Sequence, residues 1–100
     1  MDEITDERIL LLADRLHVTV RDVGHLAGLL RIVEGLRSEG FVIVLKWDGQ
    51  RDVDANDNGP YTALVTRGGL EGEFFRRDDE SLEGALEDVL AALSERWAQS

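Results

Sequence analysis

The stretch FVIVLKW-DGQRDVDANDNGP-YTALVTR, residues 41–67, decides the fold. Its two ends are rich in β-branched and aromatic residues, and its middle in Asp, Asn and Gly with one Pro, which is the composition of strand, turn and strand. We therefore expect strands over 41–47 and 61–67, with Asn58-Gly59 supplying a positive φ and Pro60 stopping the pairing. Gly68-Gly69 then turns the chain into a third short strand over 72–77. The first strand stands out because Phe41, Val42, Ile43, Val44 and Leu45 are all apolar, on both faces. An open apolar edge invites pairing and is normally blunted. Such a strand is either central in a reordered sheet or paired with a second chain. The second case makes Phe41, Ile43, Leu45 and Trp47 a candidate homodimer edge.

Helical spacing governs the flanks. Thr5 is placed to cap a helix over about 5–16, with Asp6 and Glu7 in a first turn where the macrodipole favours acids. Ile9, Leu12, Ala13 and Leu16 fall on one face of it. Thr19, with Asp22 three residues on, opens a second helix over about 20–39 in a variant of the capping box. Its apolar stripe is Val23, Leu26, Ala27, Leu30, Val33 and Leu36, and Gly40 ends it by reaching αL without steric cost. Gly24, Gly28 and Gly35 lie inside this helix, each costing roughly 1 kcal/mol relative to Ala. Gly24 and Gly28 beside Ala27 point to a close backbone approach by the first helix or the sheet. A third helix over about 80–98, capped by Asp79 or Ser81, carries Leu82, Ala85, Leu86, Val89, Leu90, Leu93 and Trp97 inward. Trp47 and Trp97 close apolar patterns and read as core or core edge. The order is α-α-β-β-β-α: one α+β domain over 1–100, two-layer, with a three-stranded antiparallel sheet packed against helices.

Composition narrows the function. Hydrophobic residues make up 43% of the 100 residues and charged ones 32%, which suits a globular chain rather than a disordered one. No apolar run approaches the ~18–20 residues that span a bilayer. With no Cys there is no disulfide framework, and Met1-Asp2-Glu3 opens without a basic and apolar leader, so a cytoplasmic protein is expected. The net charge of −10 is unevenly placed: −3 over residues 1–40, −1 over 41–77 and −6 over 78–100. That field repels phosphate backbones and anionic lipid and attracts basic surfaces. Asp78, Asp79, Glu80, Glu83, Glu87 and Asp88 crowd into eleven residues. The macrodipole accounts for acids in a first turn, but not for Glu87 and Asp88 beyond it. We expect Asp79, Glu80, Glu83, Glu87 and Asp88 to form a surface for a basic protein partner, as in an inhibitor, immunity or adaptor protein.

Residues 12–26, LADRLHVTVRDVGHL, resemble a helix-turn-helix unit, with Ala13 on the first helix, His17 at the turn, and Leu16, Val18, Val23 and Leu26 as apolar anchors. The resemblance implies a DNA-binding regulator in which Arg21 and His25 read the duplex and the following strand pair acts as a wing. One assured cation on that helix opposes this use, because DNA affinity rests on phosphate neutralisation. The α-β-β-β-α order of the last five elements is also similar to that of double-stranded-RNA-binding domains, where the acidic balance again disfavours nucleic acid. In the loop after the first strand, Asp54, Asn56, Asn58 and Gly59 match positions 1, 3, 5 and 6 of a calcium loop, but Val65 stands where a bidentate Glu belongs. They are weak metal candidates. His17 and His25 lie outside any HExxH or GxSxG context, and no Ser sits in a nucleophile turn. No catalytic residue and no cofactor is expected.

Overall fold

In the computed structural model, residues 3–21, 23–49, 59–67 and 74–98 are described. Helix α1 (Glu7–Arg15) starts one residue later than Thr5 would place it, because Asp6 is the cap. Its Oδ1 accepts the Arg8 backbone N–H at 2.9 Å, and the Arg8 guanidinium grips the same carboxylate at 2.8 Å. That second grip is unavailable to a hydroxyl, and it holds the Asp6 carboxyl below its ordinary range. Ile9, Leu12 and Ala13 are buried as the spacing predicts. The helix closes on His17, which takes a φ of +59°. The His17 N–H then reaches the Asp14 carbonyl at 3.1 Å and the Val18 N–H the Ala13 carbonyl at 2.9 Å. This left-handed cap satisfies the last carbonyls of α1.

Helix α2 (His25–Ser38) begins five residues after the expected start at 20, so the glycines have a different role. Gly24 is its N-cap with no atom near its missing side chain, whereas Gly28 receives Ile4, ahead of α1, and Val20 of the connector, and Gly35 receives Val18 and Leu16 of the connector. A Cβ on Gly28 would stand 2.8 Å from Ile4 Cδ1, and one on Gly35 2.9 Å from Val18 Cγ2. The seven-residue separation is about two helical turns, so both glycines line one groove on α2. This seating rotates the buried face to Leu29, Ile32 and Leu36, while Leu30 and Ala27, expected inside, are exposed. A second left-handed cap ends α2: Gly40 has a φ of +91°, and the Phe41 N–H reaches the Leu36 carbonyl at 3.1 Å.

The sheet comprises β1 (Val42–Trp47), β2 (Tyr61–Thr66) and β3 (Phe74–Asp79), antiparallel in the order β1-β2-β3. The register sets Val44 against Leu64 and Leu64 against Arg76. The reordered sheet is thus ruled out, and β1 lies at an edge, in keeping with the tendency of consecutive strands to pair in sequence. Strand β3 continues two residues past the expected end at 77, since its pairing runs through Asp79; residues 68–73, Gly68-Gly69 among them, lie outside the described residues. Pro60 does not stop the ladder, because its carbonyl accepts the Asp48 N–H at 2.9 Å. Gly59 has a φ of +92°, and a Cβ there would collide with the Asp79 carbonyl.

Helix α3 (Leu82–Ala98) is capped by Ser81, whose Oγ accepts the Gly84 N–H at 3.0 Å, while Asp79 Oδ1 accepts the Ser81 N–H at 3.2 Å. Ala85, Leu86, Val89, Leu90 and Leu93 are buried as expected. They meet Ala63 and Val65 of the sheet, Ile9 and Leu12 of α1, and Leu29, Ile32 and Leu36 of α2 in one core. The helices form one layer and the sheet the other. Among the described residues no helix is long and apolar enough to cross a membrane.

Candidate functional site

Side-chain parity divides β1. Successive side chains point to opposite faces, and Ile43 and Leu45 turn toward the helices, half-buried, while Val42 and Val44 turn outward, 55% and 50% exposed. The outward face carries its charges in balance: Lys46 lies 3.8 Å from Asp48, Arg76 lies 3.5 Å from Asp78, and the Thr62 hydroxyl donates to Asp78 at 2.6 Å. The Asp48-to-Pro60 bond fixes the backbone phase. Bonded pairs alternate in an antiparallel ladder, so Val42, Val44 and Lys46 turn their N–H and C=O groups to β2. Those of Ile43, Leu45 and Trp47 point out of the open edge, with which no described strand pairs.

The four residues expected at a dimer edge therefore separate. Ile43 and Leu45 bring backbone, and Trp47, expected at the core, is 60% exposed and edge-on to Tyr61 at 6.4 Å. Phe41 is not at the edge. It is buried 5.6 Å from the Trp97 ring, with the Arg67 guanidinium 4.4 Å above it. Val42 and Val44 were missed as contact side chains, though the period-2 rule exposes them once Phe41 is assigned to the core.

The acidic segment is tied into the fold by two neighbouring rows of α3. On one row, His25 at the start of α2 lies between two carboxylates, with Nδ1 2.7 Å from Glu83 and Nε2 2.7 Å from Glu87. Ionised carboxylates only accept, so both ring nitrogens carry protons in this geometry. Burial pushes the imidazole toward its neutral form, but the hydrogen bonds it donates to Glu87 and Glu83 outweigh it, and the pKa is raised above 6.5. On the other row, the Asp79 carboxylate lies against Gly84, where a Cβ would stand 2.7 Å away, and reaches Asp88 by a hydrogen bond. Burial and the charges of Asp79 and Glu87 raise the Asp88 pKa, opposed by Arg77. Glu87, which the macrodipole leaves unexplained, thus ties α2 to α3, whereas Asp88 stands against the like charges of Asp79 and Glu87. Glu80 precedes the helix rather than sharing its face, and of the five acids it is the one with no partner among the described residues.

Arg21 and His25 do not share a helix. The connector between α1 and α2 is longer than the three or four residues of a helix-turn-helix, and Arg21 lies in it, on an open cleft of about 640 Å³ shared with Glu3 and Asp14. Asp54, Asn56 and Asn58 lie outside the described residues. Among the described residues no group of His, Asp and Glu is arranged to hold a metal ion. The chain matches no known protein family, and neither the curated proteins nor the solved structures give a match.

Proposed function

We propose that this chain is a cytoplasmic protein-interaction domain that acts by contact rather than catalysis, with the open edge of β1 as its contact strand and a second copy of the chain as its occupant. The observation carrying this reading is the run of outward N–H and C=O groups at Ile43, Leu45 and Trp47, flanked by the exposed Val42 and Val44. An unpaired edge of this kind is a template for another strand. Full burial of a Val side chain is worth ~1.5–3 kcal/mol, so pairing recovers free energy that the monomer leaves unused. Light scattering coupled to size exclusion tests it. A dimer that dissociates on dilution and is lost in Val44→Lys, with the circular dichroism unchanged, is expected; a monomer at every concentration overturns the reading.

A basic partner at the acidic end of α3 is the second reading, favoured by the −6 carried by residues 78–100. Steering toward such a partner raises the association rate. The test uses Glu80→Lys with Asp88→Lys, because Glu83 and Glu87 are needed by His25. Loss of capture by a basic partner in the folded variant supports it, and unchanged capture counts against that surface. The DNA reading through residues 12–26 has less behind it, since Arg21 stands in a connector with Glu3 and Asp14 beside it.

A further inference from the structure

Resting on the β1-edge reading, we infer that two copies pair their β1 strands antiparallel about a two-fold axis through Val44, with Ile43 opposite the partner's Leu45. The outward backbone groups belong to Ile43, Leu45 and Trp47. An antiparallel partner must bond those residues to one another, and a two-fold axis makes the contact self-complementary. Registers one step to either side, centred on Ile43 or on Leu45, satisfy the same backbone rule. Side chains choose among them.

With Val44 on the axis, it faces the partner's Val44 on the outer side, and Val42 faces the stem of the partner's Lys46. Toward the helices, Ile43 meets the partner's Leu45, and Trp47 lies beside the partner's Phe41 position. The two exposed valines of each copy merge into one apolar strip, with a lysine stem covering either end. Centring on Leu45 would set Val42 against the partner's Asp48 and Val44 against its Lys46. Centring on Ile43 would set Val42 against the partner's Val44 but overlap the two strands over residues 42–44 alone, against 42–46 with Val44 on the axis. It would also leave Trp47 opposite the partner's Glu39, past its strand. Residues 41–47 contain no acid, and their one charge is Lys46. The carboxylates of Asp78 and Asp79 stand on β3, across the sheet from the pairing edge. A second copy is therefore admitted at this edge despite the net charge of −10.

The chain has no cysteine, so an engineered pair reports without background. A non-hydrogen-bonded antiparallel pair brings Cα atoms to ~4.5 Å, within disulfide reach. Val44→Cys should cross-link to a covalent dimer under mild oxidation, whereas Val42→Cys, four residues out of register with its own copy, should not. Both variants should keep the wild-type dimerisation seen by light scattering when reduced. A wild-type dimer in which Val44→Cys fails to cross-link, or cross-links no faster than Val42→Cys, overturns the register and leaves the edge reading standing. A wild-type monomer overturns both. A monomer that binds a peptide of residues 41–47 transfers the edge to an extended segment of another protein and likewise overturns self-pairing.

Discussion

His25 joins α2 to α3 through two 2.7 Å contacts, and its protonation sets their strength. Its folded pKa is raised above the ordinary 6.5, so the stability it contributes is fully present below that value. It is lost as pH rises through the folded pKa, when one nitrogen turns a lone pair on a carboxylate. Glu83 is half exposed, which reduces the contribution to about 1 kcal/mol through solvent screening. Thermal unfolding followed from about pH 6 to about pH 9 should show a falling midpoint in the wild type and a flatter profile in His25→Asn. Equal slopes would show that the clasp does not titrate. His17 offers a second test. A non-glycine residue at αL costs roughly 1–2 kcal/mol, and Gly gives back up to about 1 kcal/mol through its freedom in the unfolded chain. His17→Gly should therefore raise the urea midpoint, by roughly 0.5 kcal/mol in stability. A lowered midpoint would mean that the His17 ring has a contact of its own to lose.

Helix α2 shows where a local pattern runs out. Its Gly35 is a packing glycine: Val18 Cγ2 would lie 2.9 Å from an added Cβ, and Val18 is both β-branched and part of the cap of α1. Overpacking costs ~1–3 kcal/mol, against ~1 kcal/mol gained in helix propensity. Gly35→Ala should be destabilising, and Gly24→Ser, with open space and a missing side-chain cap, should gain about a few tenths of a kcal/mol. Chemical denaturation orders the two, and the reverse order would refute the packing of the connector along α2. Elements whose apolar spacing and caps agree were legible: α3 with Ser81, the inward face of α1, and β1 with β2 around their loop. The start of α2 was not, because Thr19 and Asp22 offer a plausible cap and only the seating of Val20 and Ile4 shows the chain still uncoiled there. The run of β3 on to Asp79 follows from a pairing that local composition at 74–79 does not encode. The apolar edge was legible in FVIVL, but not which valines stay wet. His25 had no local signal, since its carboxylates lie 58 and 62 residues away.

Charge is segregated over the whole molecule. Helix α3 is 17 residues, about 25 Å at 1.5 Å per residue. Asp78, Asp79, Glu80, Glu83, Glu87 and Asp88 gather at its start, while Arg15 packs 4.7 Å from the Trp97 ring near its end and Arg67 covers Phe41. Glu83 in the first turn of α3 and Arg96 in its last match the sign the macrodipole prefers. Self-association through β1 must overcome the residual repulsion of two acidic bodies, which salt screens beyond about 10 Å at 0.1 M. Sedimentation equilibrium should therefore find a tighter dimer as sodium chloride increases, and a dimer loosened by salt would show that ion pairs, not an apolar strand edge, hold the copies together. The most direct test of the open edge is amide hydrogen exchange across β1, read residue by residue by NMR in dilute and concentrated samples. The amides of Val42, Val44 and Lys46 should be protected throughout by their bonds to β2. Those of Ile43, Leu45 and Trp47 should exchange freely when dilute and slow on concentration. Free exchange of these three at every concentration would contradict pairing at the edge, and protection in the most dilute sample would show that the chain covers it itself.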